Sequence, residues 1–162
     1  MKKGGSVAKG RQLFVGLGVV TSLLVAFGCA PKKIQVYPSV PAPQVRDQLV
    51  QYAATLLGKP YRNGAKGPEA FDCSGFVYYV YRRFDIRVPV STEGLNRIGY
   101  EIARDDVLVG DLVVFRIRRE HHVGIMMNRA DFIHASKSRG VAVDNVDAAY
   151  WKRNFLNFRR IL

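Results

Sequence analysis

The sequence predicts an α+β fold in which N-terminal helices pack on an antiparallel sheet of about five strands. Three observations carry this expectation. Apolar residues recur at spacings of three and four through residues 44–84, then give way after Asp111 to short runs of β-branched and aromatic residues. Those later runs are joined by short polar turns, which let consecutive strands pair antiparallel and leave no room for a parallel crossover. Helices first and strands afterwards is the order of an α+β domain. The chain has 162 residues, 48% hydrophobic and 23% charged, which suits one globular domain with short appendages and excludes a disordered chain.

The N-terminus is expected to be an address and an anchor. Lys2, Lys3, Lys9 and Arg11 form a positive region with no acidic residue, and an apolar run follows from Leu13 to Phe27. That run is too short and too Gly-rich for a comfortable membrane span, and suits the core of a secretory signal. It stops at Ala26-Phe27-Gly28-Cys29, which resembles the lipobox of bacterial lipoproteins despite the bulky Phe27. By that resemblance, residues 1–28 are a signal peptide cut before Cys29, and Cys29 carries the lipid, palmitate included. A plain signal peptide and an uncleaved anchor are the other readings. Ala30 after the cysteine, rather than Asp, implies sorting to the outer membrane, facing the periplasm. Residues 29–43 hold Pro31, Pro38, Pro41 and Pro43 and are expected to be an extended tether. At ~3.1 Å per residue its fourteen residues after Cys29 reach roughly 40 Å.

The domain proper is placed at 44–162. Gln44 to Leu57 is expected to be a helix with Val45, Leu49, Tyr52, Ala53 and Leu56 on one face, ended by Gly58 and Lys59-Pro60. Pro60 to Ala70 is a loop rich in Gly, Pro and Asn. It delivers the chain to Phe71-Asp72-Cys73-Ser74-Gly75-Phe76. From Cys73 to Phe84 a second helix fits, with Phe76, Val77, Val80 and Phe84 buried and Asp72 as N-cap. Cys73 then lies in the first turn, where exposed N–H groups favour a thiolate and can stabilise an oxyanion. Arg82, Arg83 and Arg87 form a solvated face. Thr92 to Ile98 is expected to be a short helix closed by Gly99.

Five strands are expected, at Leu112–Ile117, His122–Met127, Asp131–Ala135, Val141–Val146 and Phe155–Leu162. A hairpin centred near Asn128 would place His122 directly opposite His134 on one face, with Cβ atoms ~4.5–5.5 Å apart. His121 would point to the other face, toward solvent. Either histidine alone is more simply a satisfied polar residue of a sheet. Together, with a cysteine at a helix start, they make the parts of a cysteine hydrolase: nucleophile, base, and a third group that orients the base. The same three side chains could hold a metal, but no carboxylate or second cysteine is obviously placed as a further ligand.

The net charge of +12 suits an anionic partner such as a membrane surface, a wall polymer or nucleic acid, and loses four charges with the signal. No basic run is interleaved with aromatics, so nucleic acid is not expected. Cys29 and Cys73 have different contexts and do not make a disulfide framework.

From Val45 to Leu162 the chain resembles the NlpC-type cysteine peptidases of bacterial cell walls, enzymes of papain-like fold. The motifs are Gly58-Lys59-Pro60-Tyr61, Phe71-Asp72-Cys73-Ser74-Gly75-Phe76-Val77, Val109-Gly110-Asp111-Leu112-Val113, His122-Val123-Gly124-Ile125 and Phe132-Ile133-His134-Ala135-Ser136. The ending, Tyr150-Trp151-Lys152-Arg153 and Arg159-Arg160-Ile161-Leu162, is most similar to the Spr-type murein endopeptidase lipoproteins. One departure is Pro89-Val90, where many relatives carry Pro-Arg. The resemblance implies Cys73 as nucleophile, His122 as base and then acid, and His134 as its orienting partner. It further implies that the Tyr61 hydroxyl helps the oxyanion, and that Asp72 and Ser74 line the site, Asp72 meeting a substrate amine. It implies peptidoglycan as substrate, no metal, no cofactor and a monomer. The same fold also serves amidases and acyltransferases on other amides, and a non-catalytic wall-binding lipoprotein is the third possibility. Neither the cross-link bond nor the D-Glu to diaminopimelate bond is singled out by sequence, although the Spr-like ending favours the cross-link.

Overall fold

The structure, a computed structural model, describes residues 42–162. The signal reading of 1–28, the lipidation site Cys29 and the tether up to Pro41 lie outside the described residues. The first helix, α1, runs Ala42–Ala54, two residues earlier than expected. Pro43 therefore sits in its first turn, where a missing N–H costs no hydrogen bond. Val45, Leu49, Ala53 and Leu56 are buried as their spacing requires, and the chain turns out of the helix at Gly58. The second helix, α2, runs Cys73–Arg82, and α3 is a single turn, Thr92–Leu95, capped by Ser91.

Six antiparallel strands follow, one more than expected: β1 Tyr100–Ile102, β2 Leu112–Ile117, β3 Glu120–Met126, β4 Asp131–Ser136, β5 Gly140–Asn145 and β6 Phe155–Arg160. Their order in the sheet is β1-β6-β2-β3-β4-β5. The added strand, β1, is a three-residue edge piece pairing only with β6, too short to show any alternation. A short helix before β6, α4 (Ala149–Asn154), is a second element beyond the sequence expectation; no side chain caps it.

Both faces of the sheet are covered. Leu112, Val114, Val123, Ile125, Ile133 and Ala135 pack beneath α1 and α2. Val113, Phe115, Met126, Phe132 and Phe158 pack with Trp151 of α4 on the opposite side. Two buried faces explain why β2 to β4 are apolar almost without interruption, although the sheet is antiparallel. A buried ionic knot ties the termini of the domain to its centre. Asp111, fully buried, takes Arg46 at 2.9 Å and Arg160 at 2.8 Å, and Arg46 also donates to the Val109 carbonyl at 2.8 Å and to the Leu162 carbonyl.

Candidate active site

The start of α2 is built by three local contacts. The Asp72 carboxylate accepts from the Gly75 N–H at 2.5 Å and from the Ser74 hydroxyl at 3.1 Å, so it caps the helix as expected. The Phe76 N–H goes to the Asp72 carbonyl at 2.9 Å. Two of the first-turn donors are thus taken, and the N–H groups of Cys73 and Ser74 remain to face the Cys73 sulfur, where they favour its charged form. The preceding loop is pressed against this turn: the Asp72 N–H donates to the Ala65 carbonyl at 2.8 Å, and a Cβ on Gly75 would lie 2.1 Å from that same oxygen. Only glycine fits there.

The histidines come from the sheet. His122 of β3 pairs across with Phe115 of β2, and His134 of β4 pairs with Ala142 of β5. The β3–β4 hairpin is centred on Arg129, not Asn128, because Ile125 faces Ile133 and Met126 faces Phe132. The two histidines are therefore diagonal neighbours rather than directly opposed. A slip of two residues preserves the face, and diagonal neighbours remain within reach of long side chains. The His122 Nε2 and His134 Nδ1 atoms lie 2.7 Å apart, the rings nearly perpendicular at 87°. Trp151 stacks on His122 at 5.5 Å and meets His134 edge-on at 5.0 Å, which buries much of both rings.

Cys73, His122, His134, Tyr61, Asp72 and Ser74 line one open cleft of about 900 Å³. Asp72 spends one carboxylate oxygen on the helix cap; its other oxygen stands 3.9 Å from Lys66. His121 departs from expectation: it is half-buried, lines the same cleft, and stands 3.7 Å from Glu93 of α3.

A carboxylate does reach the histidines, contrary to the sequence reading. Asp144 of β5 accepts from His134 Nε2 at 2.9 Å, and Arg139, in the β4–β5 turn, donates to the same oxygen at 2.5 Å. Only the β4–β5 register, Phe132 opposite Asp144 and His134 opposite Ala142, brings Asp144 beside His134 on that face. Both nitrogens of His134 are thereby engaged in hydrogen bonds.

The electrostatics also correct an expectation. Burial first, and the Asp72 carboxylate second, push the Cys73 thiol up to about 11, against the pull of its helix N–H groups and Lys137. Burial, then the neighbouring His134 and Lys137, push His122 down to about 3. Burial likewise lowers His134, against Asp144. Asp144 is raised by burial, but its bonds to Arg139 and His134 outweigh this and hold it below the usual carboxylate range. Burial thus opposes the thiolate that the helix start favours, and favours a neutral His122 in the same cleft.

A family model for the NlpC/P60 family matches residues 58–160. The chain belongs to the NlpC/P60 family. It is 38% identical over 155 residues to the probable endopeptidase NlpC of Escherichia coli K12, covering 88% of this chain and 96% of that protein. It is 35% identical over 120 residues to the murein DD-endopeptidase MepS/murein LD-carboxypeptidase of the same organism, covering 73% of this chain and 64% of that one. Among solved structures, an NlpC/P60 family protein from Bacillus cereus superposes with a TM-score of 0.70 at 25% identity, covering 77% of this chain and 42% of that chain. The α+β papain-like architecture expected from sequence is that of this family.

Proposed function

We propose that this NlpC/P60 protein is a peptidoglycan endopeptidase that hydrolyses amide bonds of the stem peptides by thiol catalysis. The observation that carries the reading is the buried His122–His134 pair opening onto the same cleft as Cys73 at the start of α2. The relative named a murein DD-endopeptidase, at 35% identity, supports the substrate class, and the one at 38% is named a probable endopeptidase. The cleft lining is of mixed sign, with Glu93, Glu120 and Asp72 against Lys137, Arg119 and Arg139, which suits peptides bearing both free amines and carboxylates.

In the reaction the Cys73 sulfur attacks the amide carbon while its proton passes to the neutral His122. The oxyanion meets the Cys73 and Ser74 N–H groups, with the Tyr61 hydroxyl as a further donor. The imidazolium returns its proton to the leaving nitrogen as the C–N bond breaks. Water, deprotonated by His122, then opens the thioester and regenerates the thiol. The preferred bond is the D,D cross-link, in keeping with the Spr-like ending. Cys29, by its lipobox-like context, would anchor the domain to the outer membrane on the proline-rich tether. Digestion of defined dimeric and monomeric muropeptides, read by mass spectrometry, tests the bond; Cys73→Ala must abolish it. Cleavage that survives in Cys73→Ala, or inertness toward every muropeptide and sacculus, overturns the reading.

A further inference from the structure

We propose that Asp144, held by Arg139, is a positioning residue that dictates which nitrogen of His122 is the base. The inference rests on the hydrolase reading for its consequence in turnover, but its physical basis stands apart from any substrate.

The chain of hydrogen bonds crosses three adjacent strands: His122 on β3, His134 on β4 and Asp144 on β5. A neutral imidazole carries one N–H, and either of its two nitrogens can hold it. Without a fixed end, the His122–His134 pair could be hydrogen-bonded in either direction. Asp144 supplies the fixed end. An ionised carboxylate only accepts, and Arg139, which only donates, is bound to the same oxygen at 2.5 Å. The His134 proton must then sit on Nε2. Its Nδ1 is left as a lone pair and can only accept, so the His122 proton must sit on Nε2. His122 Nδ1 is left unprotonated, free to take the thiol proton. Reverse the first bond and every later one reverses, leaving His122 with an N–H where a lone pair is needed. When His122 becomes an imidazolium, the same chain still holds, because Nε2 continues to donate to His134.

Asp144 is four-fifths buried, forms part of the cleft wall and lies at the end of the relay, two hydrogen bonds from His122. The test pairs two variants. In Asp144→Ala the fixed end is gone. In Asp144→Asn the amide oxygen can still accept from His134, and Arg139, having no acceptor of its own, selects that oxygen over the NH2 group. Ring ¹⁵N–¹H correlation spectra of the ¹⁵N-labelled full chain read the tautomers at neutral pH with no substrate present. The expected result is a single tautomer, protonated on Nε2, for both histidines in the wild type and in Asp144→Asn, and a mixture in Asp144→Ala. Muropeptide turnover should follow: kcat falls roughly tenfold or more in Asp144→Ala, with KM little changed, and is largely retained in Asp144→Asn. A wild-type His122 protonated on Nδ1, or an Asp144→Ala protein that loses kcat with its tautomers unchanged, overturns the proposal. If the tautomers behave as expected but no muropeptide is cut by the wild type, the substrate reading fails and the relay stands.

Discussion

The Asp72 carboxylate and the Cys73 thiol are neighbours that work against each other. Asp72 builds the helix start that presents the sulfur, through its 2.5 Å bond to the Gly75 N–H, and its charge then opposes ionisation of that sulfur. The expected consequence is a nucleophile that stays a thiol until a base takes its proton. Such a site differs from one with a standing thiolate–imidazolium pair, and the two can be told apart in solution.

Alkylation of Cys73 by uncharged iodoacetamide follows the thiolate fraction. With the thiol pushed up to about 11, the rate should climb about tenfold per pH unit from pH 7 to 10 without levelling. A reactivity plateau between about pH 5 and 8 would instead reveal a preformed ion pair and contradict the electrostatics described above.

Two substitutions at Asp72 should split its roles. Asp72→Asn keeps a good N-cap and removes the charge, so stability holds while Cys73 alkylates several-fold faster at pH 8. Asp72→Ala also loses the cap and frees the Ser74 hydroxyl, costing about 1 kcal/mol in urea denaturation. Equal alkylation rates in wild type and Asp72→Asn would show that the carboxylate does not govern the thiol.

Much of this site was legible in local sequence, and what escaped is non-local. The capped start of α2 follows from Asp72 and the apolar spacing after it, both short-range signals. That His122 and His134 share a face follows from strand alternation, and survives a misplaced hairpin centre because the error is two residues. The turn itself was harder: Asn128 accepts from the Ala130 and Asp131 N–H groups, both at 2.7 Å, and the hairpin closes around Arg129. Asp144 gives no local signal, since its role depends on the register of a second hairpin. The α4 helix escaped because it is one and a half turns long and uncapped, yet it delivers the Trp151 ring that buries both histidines.

The Asp111 knot should matter for folding and not for chemistry, because it lies outside the cleft. Asp111→Ala leaves Arg46 buried without its partner, and Arg160 and the Leu108 N–H lose theirs. Removing one member of a buried pair costs about 3–5 kcal/mol. Thermal and urea denaturation should show a loss of that size, with turnover per folded molecule at low temperature unchanged. A loss below about 1 kcal/mol would mean that the arginines find water or other partners at little cost.

Acid should destabilise the domain through its buried histidines. His122 is held down to about 3 in the folded chain, whereas an unfolded histidine titrates near ~6.5. Between those values the unfolded chain binds the extra proton, so unfolding becomes easier as pH falls. The stabilisation from keeping His122 neutral is full above the unfolded value and drains away on acidification, at up to about 1.4 kcal/mol per pH unit for one proton. His134, lowered in the same direction, adds to the slope. Urea titrations of wild type and His122→Asn between pH 7 and 4 should therefore converge: the variant starts less stable, having lost the bond to His134, but falls less steeply. Parallel lines would mean that His122 takes up its proton inside the folded site, and that Trp151 does not keep water from the ring.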